Sequence, residues 1–275
     1  MNPHSEHPGN PASAAAEGAA DYLVDAHRRR ETFGHLPLEC SPRDLRAAIR
    51  AQDAYARRLV AVRGQVAGYK VALTTPAMQK LTGFREPARG RLFEKTVHGS
   101  PHAIRGADFG RLGLECEVAI RIGRALAATD APYDAQSVQP AVAAFMPAFE
   151  IIDDRGADYS KFAQTVFDFI ADNTWNAGVV LGAPAPAARA GELPDARGRM
   201  HINGRLIAEG HGRDVLGHPL NALAWLANSL AGAGLALEPG MIVMTGSLVP
   251  TQFVQAGDAV RYELEGFGEI TCSVT

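Results

Sequence analysis

The sequence predicts an α+β fold, a mainly β core behind a helical N-terminal part. Three observations predict it. Residues 21–62 repeat apolar positions at spacings of three and four, the period of a helix. After Gly64, short apolar runs alternate with Gly and Pro punctuation, the texture of strands. Leu114, Cys116, Val118, Ile120 and Ile122 then alternate strictly with Glu115, Glu117, Ala119 and Arg121, the period of a half-buried strand.

Taken in order, the first twenty residues are rich in Pro, Ala, Gly, Ser and His. They lack the basic start and apolar run of a signal peptide and read as a disordered tail. Tyr22, Leu23 and Ala26, then Leu45, Ala48, Ile49 and Ala56, mark the helical part. Ser41-Pro42 reads as an N-cap followed by proline at the first helical position. Asp44 then stands in the first turn, where the helix dipole favours a negative charge.

Gly68 to Leu73, Leu114 to Ile122, Val142 to Ile152 and Val179 to Gly182 read as strands. Asn203-Gly204, between His201-Ile202 and Arg205-Leu206-Ile207, is a hairpin turn signal. A helix starts near Pro219, carries the stripe Leu220, Leu223, Ala224, Leu226, Ala227 and Leu230, and ends at Gly232 or Gly234. Ile242 to Thr245 is a short buried strand. Val260, Tyr262 and Leu264, the turn Gly266-Phe267-Gly268, and Ile270, Cys272 and Val274 form a last hairpin. No linker divides residues 21–275, so a helical part 21–62 and a β core 63–275 are expected in one domain.

The chain of 275 residues is 47% hydrophobic and 21% charged, ordinary for a globular protein. A net charge of −3 offers nothing to nucleic acid or an anionic membrane, and no apolar stretch is long enough to cross a bilayer. Cys40, Cys116 and Cys272 form no CxxC pair. That fits a reducing, cytoplasmic setting.

The chemistry-bearing residues are few. Glu115 and Glu117 share one strand face, where two carboxylates can converge on a hard cation such as Mg²⁺ or Mn²⁺. For a bare Glu-x-Glu the solvated outer face of a half-buried strand is the commoner explanation. Glu150 lies within Ala148-Phe149-Glu150-Ile151-Ile152, where a buried carboxylate needs a cation, a donor or water. Arg155 or Lys161 could equally pair with it. No His pair stands at zinc-ligand spacing. Lys70, in an apolar strand, can shuttle protons if desolvated, or point to solvent from an edge. Thr245-Gly246-Ser247 ends a strand with small groups suited to binding a carboxylate, or is a plain turn. Asp172-Asn173 is a supporting polar pair or a helix cap.

Six ordered segments resemble the bacterial 2-keto-4-pentenoate hydratases and their sister 2-oxo-acid decarboxylases, of the fumarylacetoacetase-like superfamily. They are Gly68-Tyr69-Lys70, Leu114-Glu115-Cys116-Glu117, Pro147 to Asp153, Ile170-Ala171-Asp172-Asn173, Ala224 to Asn228, and Thr245-Gly246-Ser247-Leu248. The resemblance implies a mixed β-sandwich roll with N-terminal helices, a single catalytic domain and homo-oligomeric assembly. It implies Mg²⁺ or Mn²⁺ on Glu115, Glu117 and Glu150, proton transfer by Lys70, and substrate contacts from Thr245 and Ser247. The implied reaction adds water to a 2-hydroxy-2,4-dienoate to give a 4-hydroxy-2-oxo acid, in aromatic-compound degradation. Decarboxylation of a 4-oxalocrotonate-type 2-oxo acid is the alternative reaction. A non-catalytic small-acid binder is the alternative class.

The chain departs from the family's pattern in places. Ala88-Arg89-Gly90 replaces a common Asp-Tyr-Gly, Glu94-Lys95 a pair of aspartates, and Gly240-Met241 a Gly-Asp. The acid near Lys70 is therefore either missing or replaced, with Glu86 and Glu94 as the candidate substitutes. The superfamily's C–C hydrolases add a His-Glu pair; His27 and Glu31 have the spacing, but Arg28-Arg29-Arg30 does not match that pattern.

Overall fold

The structure, a computed structural model, describes residues 11–275. It opens with α1 (Pro11–Arg29) and α2 (Leu45–Arg63), which pack side by side. Half of the expected tail is therefore helix, and residues 1–10 lie outside the described residues. Alanine is the strongest helix former, and Ala16, Ala19 and Ala20 are buried against α2 beside Leu23. The cap of α2 also differs from expectation. Asp44 is the N-cap, its carboxylate accepting from the Ala47 N–H at 2.8 Å. The Ser41 hydroxyl instead donates to Asp168.

The chain continues through β1 (Val66–Ala72), α3 (Pro76–Thr82), β2 (Ala88–Phe93), β3 (Val97–Gly99), β4 (His102–Ile104) and β5 (Leu112–Ile122). After a short α4 (Ala135–Val138) come β6 (Val142–Asp153), α5 (Phe162–Ala171), β7 (Asn176–Leu181) and β8 (Ala185–Pro186). The hairpin β9 (Arg197–Ile202) and β10 (Arg205–His211) turns at Asn203-Gly204 as expected. Then follow α6 (Pro219–Ala231), β11 (Ile242–Ser247), β12 (Gln252–Phe253), β13 (Ala259–Leu264) and β14 (Gly268–Val274).

Two mixed sheets result. The larger runs β2-β1-β11-β5-β6-β7-β3, with β12 extending along β5 and β8 along β6; the smaller runs β10-β9-β13-β14-β4. Leu114, Cys116, Val118 and Ile120 of β5 join Phe145 and Phe149 of β6 on the inner face of the large sheet. They pack against Tyr262, Ile270 and Cys272 of the small sheet, and α6 closes one end of this core. An α+β arrangement of mixed sheets behind N-terminal helices is what the sequence predicts.

The alternate residues of β5 and β6 face outward, but not into water. Ala119, Met146, Ala148, Val179 and Met244 are buried there, and α5 covers Ala72 and Ile152. The solvated-face reading of Glu115 and Glu117 fails for this reason: both faces of β5 are buried.

Candidate active site

Antiparallel register places Glu115 of β5 directly opposite Glu150 of β6, and Glu117 opposite Ala148. Like charges facing across a strand pair repel. Glu117, Glu150 and Lys70 are 0%, 0% and 2% exposed, while Glu115 is half-buried. One ligand atom from each glutamate lies within 4.8 Å of the other two. Lys70, two strands from β5 on the same face, reaches Glu150 Oε1 with its Nζ at 3.2 Å.

The partners of each carboxylate are distinct. The Asn176 side-chain amide donates to Glu150 Oε1 at 2.8 Å, and the Gly246 N–H donates to Glu117 Oε2 at 2.8 Å. The Thr251 hydroxyl donates to Glu115. Glu117 Oε1 and Glu150 Oε2 are buried without a hydrogen-bond partner. Buried polar oxygens are rarely left so. Burial pushes the Glu117 carboxyl far up, reinforced by Glu150 and Glu115 and only partly offset by Lys70 and the Gly246 N–H. Burial likewise raises Glu150, against the pull of Lys70. For Lys70 burial acts downward, but Glu150, Glu115 and Glu117 outweigh it and hold the ammonium above its usual value. One ammonium thus faces three carboxylates. Orphaned hard oxygens in a negative nest suit a divalent cation such as Mg²⁺ or Mn²⁺.

Glu150 pairs with neither Arg155 nor Lys161, which are bound to Asp172 and Asp158. The expected acidic partners of Lys70 are also elsewhere: Glu94 accepts from the Gln65 N–H, and Glu86 is exposed beside a separate groove. Glu150 itself fills that place. Ser247 lines the cavity above the carboxylates, its hydroxyl donating to the Val249 carbonyl at 2.6 Å and accepting from the Cys116 N–H. Thr245 does not line it. Its buried hydroxyl donates to the Val118 carbonyl at 2.8 Å, on the core side of β11. A bulge between Met244 and Ser247 breaks the strand's parity and sends Thr245 and Ser247 to opposite faces. The pivot is Gly246, at φ 111°, where a Cβ would stand 2.3 Å from the Thr74 hydroxyl.

The cavity has a volume of about 460 Å³. One wall is aromatic: Tyr159, Phe162, Phe169 and Trp175 stack or meet edge to face, with centroids 4.7–5.9 Å apart. Trp175 ends a strained run. Asn173, Thr174 and Trp175 have φ of 49°, 51° and 61°, a left-handed conformation costly for bulky residues. The Asn173 amide holds it, accepting from the Arg91 N–H at 2.7 Å and donating to the Arg91 carbonyl at 2.9 Å. Gly90 makes room, since a Cβ there would stand 2.4 Å from the Thr174 hydroxyl.

Behind this run Asp172 is fully buried between His27 Nε2, at 2.6 Å, and the Arg155 guanidinium. His27 and Glu31 therefore serve separate contacts, Glu31 accepting from the Tyr22 hydroxyl at 2.8 Å. Asp172 and Asn173 are supporting groups, and neither lines the cavity.

Sequence reasoning missed Asn176, Thr251 and the aromatic wall. Only the Phe162–Phe169 spacing on one helix carried a readable signal.

Residues 83–275 match the fumarylacetoacetate (FAA) hydrolase C-terminal family. A 2-keto-4-pentenoate hydratase of Paraburkholderia phymatum is 31% identical over 258 residues, covering 94% of this chain and 96% of its own. A 2-oxo-hept-4-ene-1,7-dioate hydratase of Escherichia coli is 30% identical, covering 92% and 95%. In fold the chain is similar to the 4-oxalocrotonate decarboxylase from Pseudomonas putida G7, solved with magnesium and adipate. The TM-score is 0.86 at 24% identity, over 95% of this chain and 98% of that one. The chain is thus an enzyme of the hydro-lyase kind and belongs to the fumarylacetoacetate hydrolase family, among the relatives of the 2-keto-4-pentenoate hydratases.

Proposed function

We propose that this chain is a metal-dependent hydratase that adds water to a 2-hydroxy-2,4-dienoate, giving a 4-hydroxy-2-oxo acid, in the degradation of aromatic compounds. The observation that carries this reading is the convergence of Glu115, Glu117 and Glu150 beside Lys70, with two buried carboxylate oxygens lacking any partner. The hydratase relatives support the reaction type, and the magnesium in the decarboxylase neighbour supports the choice of ion.

Glu115, Glu117 and Glu150 would hold Mg²⁺ or Mn²⁺. Bound there, the cation supplies positive charge that stabilises negative charge on the oxygens of a 2-oxo acid. The Lys70 ammonium, kept protonated by Glu150, delivers a proton at C5 while the 2-hydroxyl proton leaves to solvent, so that the dienol becomes a conjugated 2-oxo-3-ene. Water then adds to the remaining conjugated alkene. The aromatic wall keeps bulk water from the intermediate. Ser247 acts by fastening the segment up to Val249, which leads to Thr251 on Glu115.

A homo-oligomer rests on the family resemblance, and a cytosolic setting on three buried free cysteines. No helix among the described residues is long and apolar enough to cross a membrane.

The test incubates the purified protein with Mg²⁺ and a panel of 2-hydroxydienoates, following ultraviolet loss and carbon dioxide together. Ultraviolet loss without carbon dioxide, abolished by a chelator, is the expected result. Stoichiometric carbon dioxide would make it a decarboxylase, and inertness across the panel a binder.

A further inference from the structure

The carboxylates occupy only one end of the cavity floor, and the floor changes character one pleat further on. Two residues beyond Lys70, Glu115 and Glu150 on the same face stand Ala72, Gly113 and Ile152, with Gly113 and Ile152 directly paired. The three strands run so that all these steps go the same way. Above that part of the floor rise Phe162, Phe169 and Trp175, with Leu73 and Met78 beside them.

The cations nearby are already committed. Of the described residues lining the cavity, Lys70 alone is cationic, and it is bound to Glu150. Arg111 grips Asp154 through two nitrogens and lies over the Phe253 ring at 4.2 Å. Arg155 is bound to Asp172, and Lys161 to Asp158 outside the cavity. A second carboxylate on a substrate would lose its water against aromatic carbon and meet no positive partner, which is strongly unfavourable. An alkyl chain or ring in the same place would bury apolar surface against apolar surface.

We infer that this cavity takes monocarboxylic 2-oxo acids carrying an apolar chain or ring at the end remote from the acid group, and rejects diacids. The inference rests on the 2-oxo-acid reading of the site and narrows its substrate class. The strained backbone from Asn173 to Trp175 has a purpose in this reading, because it holds the largest ring of the wall in place.

The test uses two ligands of equal carbon count, 2-oxoheptanoate and 2-oxoheptanedioate, titrated by calorimetry into the protein with Mg²⁺. The monoacid is expected to bind at least about 10-fold more tightly, and 2-hydroxydienoates ending in alkyl or phenyl to exceed those ending in carboxylate by about 100-fold in kcat/KM. A guanidinium placed on the half-buried Met78 of α3 should reverse part of this. Met78→Arg is expected to improve diacid binding about 10-fold relative to the monoacid. Equal or tighter binding of the diacid, binding of neither acid, or an unchanged ratio in a folded Met78→Arg protein would overturn the inference. The affinities are read without turnover. Tight monoacid binding with no dienoate consumed would therefore sink the hydratase and leave this inference standing. Hydration with a diacid preference would do the reverse.

Discussion

Lys70 is the one ammonium beside three carboxylates, so its removal should have two separable effects. Lys70→Ala is expected to slow turnover by about 10²–10⁴-fold, the range of a lost proton-transfer group. It should also destabilise the cation-free protein by about 3–5 kcal/mol, because Glu150 is left buried without a counter-charge. Mn²⁺ should restore most of that stability and none of the rate, which denaturant unfolding and turnover read separately. An unchanged rate would remove Lys70 from the chemistry. Glu117→Gln should behave oppositely. Its amide oxygen still accepts from Gly246, so the fold stays intact by circular dichroism, while metal-dependent turnover is abolished. Full activity of that variant in chelator-treated buffer would contradict the metal assignment. At this scale the sequence was readable where parity was regular. Alternation in β5 put Glu115 and Glu117 on one face, and that is where they stand. Thr245, for which the resemblance implies a substrate contact, turns away from the cavity, although regular strand parity would place it on the same face as Ser247 two residues on. The bulge at Gly246 is invisible until the Thr74 side chain is seen against it.

Elements were legible in proportion to their pattern. The last hairpin and α6 follow their apolar periods, and Val260 opposes Cys272 as the alternation implies. Strand β2 has no legible signal in the sequence. Ala88 to Phe93 is buried at every position, including two arginines, so it shows no alternation. Its place on the sheet edge depends on pairing with β1, and on Gln52 of α2 donating to the Arg89 carbonyl. The tight contacts of β2 and β11 give a prediction proper to elements. Gly246→Ala must move Thr74 or the bulge, and should cost about 1–3 kcal/mol of stability. It should also weaken cation affinity, because the Gly246 N–H would swing away from Glu117. A stability and a titration curve both matching the parent would refute this account of the bulge.

Across the whole molecule, the helical part is joined to the cavity by buried charge. His27 at the end of α1 meets Asp172, and Arg155 ties Asp172 to the Glu31 carbonyl at 2.9 Å. Burial pushes the Asp172 carboxyl up, but His27 and Arg155 outweigh it and hold it below its ordinary 3.8. A group depressed in the folded state stabilises fully above its unfolded value, and that stability is lost as pH falls through the folded value. The parent should therefore soften at acid pH, in the range below about pH 4. Asp172→Asn should be less stable at neutral pH yet lose less on acidification, as thermal midpoints against pH will show. Equal slopes would contradict the role given to Asp172. This link was not legible in the sequence, because 145 residues separate its two ends. Likewise α1 begins at Pro11, ten residues before the helical pattern becomes legible at Asp21, since an alanine-rich start without large apolar residues gives no stripe to read.

The face-to-face register of Glu115 and Glu150 also bears on how such a chain can change length over time. Deleting or inserting one residue within β5 or β6 would turn the remainder of that strand over, sending glutamates into the core and Cys116 or Phe149 outward. Single-residue indels there should be absent from functional descendants. The segment at residues 127–132 pairs with no strand, has no such parity to keep and should tolerate changes of length far better.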